Sequence, residues 1–185
     1  MADTLALWHA DHVNFAWLLT LLEKQLALFH DDGSPEYDLM LDIMYYMTHY
    51  SDVVHHPKED LVFALVKERD QRAAPKVDDL AWQHARLKEA GDRLVEALDG
   101  IVNGTISSRA QVEGMARDYV TNLRNHMRTE EQEILPLAAG LLTQDDWSAI
   151  DAAIAHIADP LFGSSAEQRY AALREQIARE ARIPR

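Results

Sequence analysis

The sequence predicts an all-α fold, an up-down four-helix bundle followed by one or two extra C-terminal helices. Apolar residues recur every three or four positions, which is the helical period and not the strand period. Only 7 Gly and 6 Pro interrupt the 185 residues, and 48% are hydrophobic, so one compact core can form. Short connections join four long predicted helices, each with one apolar stripe, as in an up-down bundle.

A turn signal separates the first two predicted helices. They run from about Asp3 to His30 and from about Glu36 to Arg69, with the sequence DDGSPEY between them. Pro57 lies inside the second helix, and we expect a kink or break near His55 because proline lacks a backbone donor. The face of the first helix contains Leu5, Trp8, His12, Phe15, Leu19, Leu22, Leu26 and Phe29. The face of the second contains Leu41, Met44, Thr48, Ser51, His55, Glu59, Val62 and Val66.

The third and fourth helices follow the same pattern. The third is predicted from about Val77 to Val102, where Asn103-Gly104 ends it. Ser107 or Ser108 can cap the fourth, which runs to about Gly140. The face of the third contains Leu80, His84, Leu87, Gly91, Leu94, Leu98 and Ile101. The face of the fourth contains Val112, Ala116, Tyr119, Leu123, His126, Glu130, Ile134 and Leu137.

The C-terminal part is predicted to be a helical extension. Residues 143–158 form a shorter helix that Asp159-Pro160 ends, and an amphipathic helix follows from Ser165 to about Arg182, with a capping-box pattern at its start. We therefore divide the chain into a bundle, residues 1–142, and an extension, residues 143–185. The extension is expected to pack on the bundle or on a partner subunit, so a homodimer is one expected assembly.

Charge and composition exclude several function classes. The formal net charge of -13 and the pI of about 5.0 disfavour nucleic acid and anionic membranes as partners. The chain has no cysteine, which excludes disulfides, thiolate catalysis and sulfur-based metal sites. No segment reaches the roughly 20 apolar residues of a membrane span. A cytoplasmic protein is the expectation.

One histidine interrupts the apolar stripe of each predicted helix, and on two of the helices a glutamate does so as well. His12, His55, His84 and His126 fall one on each predicted helix. A glutamate follows His55 and His126 by four residues, at Glu59 and Glu130, so each pair lies on one helix face. The spacing repeats, because 43 residues separate His12 from His55 and 42 separate His84 from His126. The chain therefore reads as two copies of one helical hairpin.

This pattern predicts a metal site. Burying two carboxylates and four imidazoles without partners would cost many kcal/mol, and a cation compensates that cost most simply. Imidazole and carboxylate donors without thiolate suit iron, and also manganese or zinc. Two ions would each take two histidines, with Glu59 and Glu130 as bridges, which leaves positions open for water, oxygen, peroxide or nitric oxide.

Several neighbouring residues are alternatives or supports. His56 with Asp60 is a second pair spaced by four residues, and it competes with His55 and Glu59 if Pro57 rotates the helix. Glu131 competes with Glu130 in the same way. Further residues near the ligands are expected to support the site or simply to pack or lie at the surface: His9, Trp8, Ser51 and Tyr119.

The four helix motifs resemble one known family. The segments DHVNFAWLL, HHPKEDLVF, QHARLKEAG and HMRTEEQEILP, within about residues 5–140, resemble the helix signatures of the hemerythrin-like HHE cation-binding family. Oxygen-carrying hemerythrins have a second histidine four residues after the third-helix ligand, where this chain has Lys88. The resemblance therefore implies the six-ligand HHE type, with iron as the usual metal and these ligands: His12, His55, Glu59, His84, His126 and Glu130.

Two classes of function follow from the resemblance. The first is a non-haem di-iron protein that interacts with oxygen, peroxide or nitric oxide in sensing, storage or detoxification. The alternative is a di-iron enzyme, such as a peroxide-decomposing, iron-oxidising or iron-centre repair activity. A bundle that holds zinc or no metal is the third hypothesis. A ferritin-like carboxylate bundle is disfavoured, because it calls for Glu-x-x-His pairs that this chain lacks.

Overall fold

The computed structural model describes residues 2–29, 33–105, 108–153, 157–163 and 167–181. Within these ranges the chain is almost entirely helical and has no strand. None of the helices in the described ranges is both long and apolar enough to cross a membrane. Four residues at predicted helix ends lie outside the described residues: His30, Ser107, Ser165 and Arg182.

The helices of the first hairpin match the predicted regions, with one unpredicted change of helix type. Helix α1 spans Ala2–Ala27, and α2 spans Tyr37–Tyr46. The chain continues without interruption through a π-helix, Met47–His55, into α3, His56–Arg69. The expected break near His55 is therefore a transition from π-helix to α-helix, because helical hydrogen bonding continues through Pro57 to Arg69.

The second hairpin has the same construction. A short 3₁₀ turn, Gln71–Ala73, leads into α4, Ala74–Val102. Helix α5, Arg109–Thr129, begins after Ser108, whose hydroxyl accepts a hydrogen bond from the Gln111 N–H. A second π-helix, Glu130–Ile134, then leads into α6, Leu135–Leu141.

Both π-helices end just before an X-Pro step. Pro57 and Pro136 each occupy the first turn of the α-helix that follows. In a regular α-helix a proline ring clashes with the carbonyl four residues earlier, and those carbonyls, of Val53 and Gln132, both lie in π-helical turns. The wider turn therefore lets each long helix continue past its proline.

Two apolar clusters fill the interior. The first cluster includes Phe15, Leu19, Tyr46, Val54, Leu87, Leu94, Tyr119 and Leu123. The second cluster includes Trp8, Val62, Phe63, Val66, Leu80, Ile134, Leu135 and Trp147. Along each of the four long helical segments, the candidate histidine lies between a residue of one cluster and a residue of the other. The histidines therefore share one polar layer that apolar side chains bound on both sides.

The C-terminal extension contacts both clusters. Helix α7, Gln144–Ala153, buries Trp147 and Ile150 in the second cluster. Leu161 and two residues of the last helical segment join the first cluster, Tyr170 from a 3₁₀ turn, Gln168–Tyr170, and Leu173 from α8, Ala171–Ala181. The described residues after Leu141 thus contribute buried side chains to both clusters.

Candidate metal centre

The structure brings all six predicted ligands into the polar layer. His12, His55, His84 and His126 are 1–5% exposed, and Glu59 and Glu130 are fully buried. His12 comes from α1, His55 from the end of the first π-helix and His84 from α4. His126 lies in the last turn of α5, and Glu130 begins the second π-helix.

The histidines form two matched pairs. His12 and His55 have ring centroids 4.9 Å apart and ring planes at 65°, and their Nε2 atoms are 3.0 Å apart. His84 and His126 have ring centroids 4.6 Å apart and ring planes at 68°. The two halves of the site therefore present nearly the same arrangement of imidazoles, as the repeated hairpin pattern predicts.

Glu59 and Glu130 each reach both halves. The Oε1 atom of Glu59 lies 3.2 Å from His55 Nε2 and 3.4 Å from His12 Nε2, and its Oε2 atom lies 3.6 Å from His84 Nε2. The Oε1 atom of Glu130 lies 3.0 Å from His126 Nε2 and 3.5 Å from His84 Nε2, and its Oε2 atom lies 3.6 Å from His12 Nε2. Each carboxylate thus approaches histidines of both pairs.

Several of these buried polar atoms lack a hydrogen-bond partner among the described residues. They are both carboxylate oxygens of Glu59 and of Glu130, and the Nε2 atoms of His84 and His126. Buried polar groups are almost always paired, and leaving a carboxylate unpaired is expensive. A bound cation would satisfy all of them at once, so the donor set fits a metal.

Each of the four histidines is oriented by a hydrogen bond from its Nδ1 atom. Three acceptors are carboxylates and the fourth is an amide oxygen. An Nδ1–H that donates leaves the Nε2 lone pair free, and that is the atom that points into the site. The donor–acceptor pairs are His55 to Asp11 at 3.0 Å, His84 to Asp60 at 2.8 Å, His126 to Gln83 at 3.0 Å and His12 to Glu131 at 2.7 Å.

These orienting bonds form a closed ring around the bundle. Each acceptor is the sequence neighbour of a ligand on a different helical segment. Asp11 precedes His12, for example, but orients His55. The first segment thus orients the ligand of the second, the second that of the third, the third that of the fourth, and the fourth that of the first. We call this set, Asp11, Asp60, Gln83 and Glu131, the orienting ring.

The electrostatics of the layer favour positive charge. Burial lowers the pKa of His55, but the carboxylates of Glu59 and Asp11 outweigh it and raise the pKa to about 10. Burial likewise opposes the charged form of His84, yet Asp60, Glu130 and Glu59 raise its pKa to about 11. Burial raises the pKa of Glu59, but the facing histidines hold it well below its usual range. The raised pKa values mean that His55 and His84 hold protons tightly, and a bound metal cation can take the place of these protons.

The other residues predicted as alternative ligands or as supports make contacts of a different kind. Asp60 and Glu131 accept hydrogen bonds from candidate ligands, as the orienting ring shows. Glu131 also contacts the Nδ1 atom of His9 at 3.1 Å, and the side chain of His9 is 65% exposed. Trp8 packs its ring 6.3 Å from that of His55. Tyr119 is buried in the first cluster.

His56 is the alternative ligand that lies nearest to the centre. It is 5% exposed, and one of its ring nitrogens lies within 4.8 Å of ligand atoms of Glu59, His84 and His126. Its ring lies 4.2 Å from that of His84, with the planes at 13°. Ser51, one turn before His55, contacts His56 and not a predicted ligand.

Sequence reasoning did not identify two members of the orienting ring, Asp11 and Gln83. The signal was present, because each immediately precedes a predicted ligand, as Asp60 and Glu131 immediately follow one. Asp52 was also given no role. Its side chain is 1% exposed and lies 3.0 Å from His56 Nδ1, and burial raises its pKa to about 7.

Comparison with protein families gives one match. The model of the Hemerythrin HHE cation binding domain matches residues 3–138, which is most of the chain. All six predicted ligands lie within this matched region. Comparisons with curated proteins and with solved structures give no match.

Proposed function

The chain belongs to the hemerythrin HHE cation-binding domain family, and we propose that it binds two non-haem iron ions and interacts through them with a small oxidant or gas. The family implies cation binding, typically of iron, and the buried histidine and glutamate groups fit a metal site. Oxygen, peroxide and nitric oxide are the proposed ligands, in sensing, storage or detoxification.

One observation carries the proposal of two ions. Glu59 and Glu130 each lie within 3.6 Å of histidines in both halves of the site. A site for a single ion would need only one half, whereas two carboxylates shared between two histidine pairs suit two adjacent cations.

The proposed ligands divide evenly between the ions. His12 and His55 would hold one ion and His84 and His126 the other, with Glu59 and Glu130 shared between them. Imidazole and carboxylate donors without thiolate suit iron, while manganese and zinc accept the same donor types. Two histidines and two shared carboxylates leave coordination positions for a small molecule.

The surrounding residues set what can reach the ions. Iron, when bound, supplies affinity for small oxidants and the ability to exchange electrons with them. The two apolar clusters exclude bulk water above and below the polar layer. The orienting ring fixes the histidine rings before any ion arrives, which reduces the reorganisation needed on binding. Small neutral molecules are therefore the ligands that the site admits best.

We also infer the arrangement of the chain around the site. The orienting ring links the four helical segments in sequence order and closes from the fourth to the first, which supports an up-down four-helix bundle within residues 1–142. Residues 143–185 are then an extension of that bundle.

Loading with ferrous iron under anaerobic conditions, followed by oxygen or peroxide, tests the function. We expect a visible absorption change that saturates after a stoichiometric addition. Sustained loss of excess peroxide would instead assign a peroxide-decomposing enzyme. Zinc in the purified protein, together with failure to take up ferrous iron, would contradict the di-iron proposal.

A further inference from the structure

His56 differs from the four predicted histidine ligands in the angle of its ring. The two ligand pairs hold their ring planes at 65° and 68°. His56 instead lies almost parallel to His84, at 13°, with the ring centroids 4.2 Å apart. An imidazole nitrogen binds a cation in the plane of its ring, so two rings stacked face to face cannot both direct a lone pair at one ion. His56 is therefore not a co-ligand of the ion that His84 would hold.

His56 also differs in how its nitrogens are bonded. The Nδ1 atom of each predicted ligand donates to an oxygen, which fixes that nitrogen as the donor. Asp52 Oδ1 lies 3.0 Å from His56 Nδ1, yet neither Asp52 oxygen has a partner of hydrogen-bond geometry in the described part of the chain. His56 Nδ1 is thus not held as a donor, and the Nε2–H form is free to donate.

The π-helix supplies the contact on the other nitrogen. The backbone N–H of His56 bonds to the carbonyl of Ser51, five residues earlier, which keeps Ser51 close to His56. The Ser51 hydroxyl is 3.2 Å from His56 Nε2. A hydroxyl rotates about its C–O bond, so a molecule that enters the layer can share or replace this contact.

We propose that His56 hydrogen-bonds the small molecule that binds in the His84–His126 half of the site. One of its two ring nitrogens lies within 4.8 Å of ligand atoms of Glu59, His84 and His126, close enough for the four residues to hold a cation together, but the face-to-face stacking on His84 argues against a shared ion. A hydrogen bond of about 2.7–3.2 Å from the His56 ring would therefore end on a molecule beside the ion rather than on the ion itself. The inference rests on the proposed di-iron function and adds that the two halves are chemically unequal.

Azide binding to the oxidised iron-loaded protein tests this inference. The His56→Phe variant keeps a ring against His84 and removes both nitrogens. We expect this variant to retain two irons per chain and to bind azide at least about tenfold more weakly, measured by visible titration. The His56→Gln variant restores a side-chain donor and should recover part of the affinity.

The control is His49→Phe, the same substitution on an exposed histidine that stacks on Tyr45. It should bind azide as the wild type does. Loss of one iron in both His56 variants would make His56 a ligand and overturn the inference, as would unchanged azide affinity in both. If His56→Phe does not fold, His56→Leu takes its place with the same expectations. Failure of the wild type to hold two irons would contradict the proposed function instead.

Discussion

At the scale of single residues, the orienting ring explains how four imidazoles are held ready for a metal. Asp11, Asp60, Gln83 and Glu131 each accept the Nδ1 hydrogen of a histidine on the neighbouring segment. Gln83 is itself held, because its amide nitrogen donates to Asp79 at 2.9 Å. Rotation of any one ring would cost a hydrogen bond, so all four Nε2 atoms stay directed inward.

Removal of one member of the ring should weaken metal binding without abolishing it. The Asp60→Ala substitution leaves the ligands in place but frees the ring of His84. We expect metal affinity to fall about 10- to 100-fold, measured by competition with a chelator. Asp78→Ala is the control, because Asp78 is an exposed carboxylate that pairs with Lys67 on the surface. Equal affinities in the two variants would contradict the orienting role.

The sequence predicts the six clustered residues more completely than the residues that orient them. One histidine on each stripe and two His-x-x-x-Glu pairs follow from helical spacing alone, and the six residues indeed lie together. The orienting ring depends on which way each ring turns and on how neighbouring helices cross. Spacing therefore identified Asp60 and Glu131 as competing ligands and did not identify Asp11 or Gln83.

At the scale of helices, the close approach of α4 to the first π-helix fixes the register of the polar layer. A Cβ atom on Gly91 would lie 2.8 Å from Thr48 Cγ2 and 3.3 Å from Tyr119 Cε2. Thr48 cannot easily turn away, because its hydroxyl donates to the carbonyl of Met44 at 3.1 Å. Gly91 thus lets the backbones approach two turns beyond His84.

A methyl group at Gly91 should push these helices apart. We expect Gly91→Ala to reduce the free energy of unfolding by about 1–3 kcal/mol, measured by urea denaturation. Gly114→Ala is the matched control, since nothing lies within 4 Å of its added Cβ. That variant should gain up to about 1 kcal/mol from helix propensity. A stabilising Gly91→Ala substitution would show that this contact is not tight.

The bounds of the four long helical segments were predicted closely, but the π-helices were not, and the C-terminal helices are shorter than predicted: α7 ends at Ala153, residues 157–158 are not helical, and α8 begins at Ala171 after a 3₁₀ turn. A change from fourth-neighbour to fifth-neighbour hydrogen bonding hardly alters the apolar periodicity over a few turns. The prolines were the available signal, and Pro57 was interpreted as a kink or break. The widened turn is a third way for a helix to accommodate proline.

At the scale of the whole molecule, a buried tyrosine on α2 links two parts of the chain that lie far apart in sequence. The Tyr46 hydroxyl, on α2, donates to Asp159 Oδ2 at 2.9 Å, and the Tyr46 side chain is fully buried. Burial and the Asp159 carboxylate raise the pKa of Tyr46 far above its usual range. The residues that follow Asp159 contribute Leu161 to the first cluster.

This raised pKa predicts a loss of stability at alkaline pH. Below a pH of about 10 both folded and unfolded chains keep the phenol protonated, so the contribution of Tyr46 is fully present. Above it only the unfolded chain ionises, and the wild type should lose about 1.4 kcal/mol per pH unit relative to Tyr46→Phe. Urea denaturation at about pH 8 and about pH 11 measures this difference. A difference that stays constant would contradict the proposed burial.

We propose one site for two ions, in which two bridging glutamates join two histidine pairs. Iron content per chain after anaerobic ferrous loading, measured by native mass spectrometry, tests it most directly. We predict two ions in the wild type and in Glu133→Ala, whose side chain is 52% exposed, but fewer than one in Glu130→Ala, because Glu130 serves both halves. One ion or none in the wild type, or two ions in Glu130→Ala, would contradict the claim.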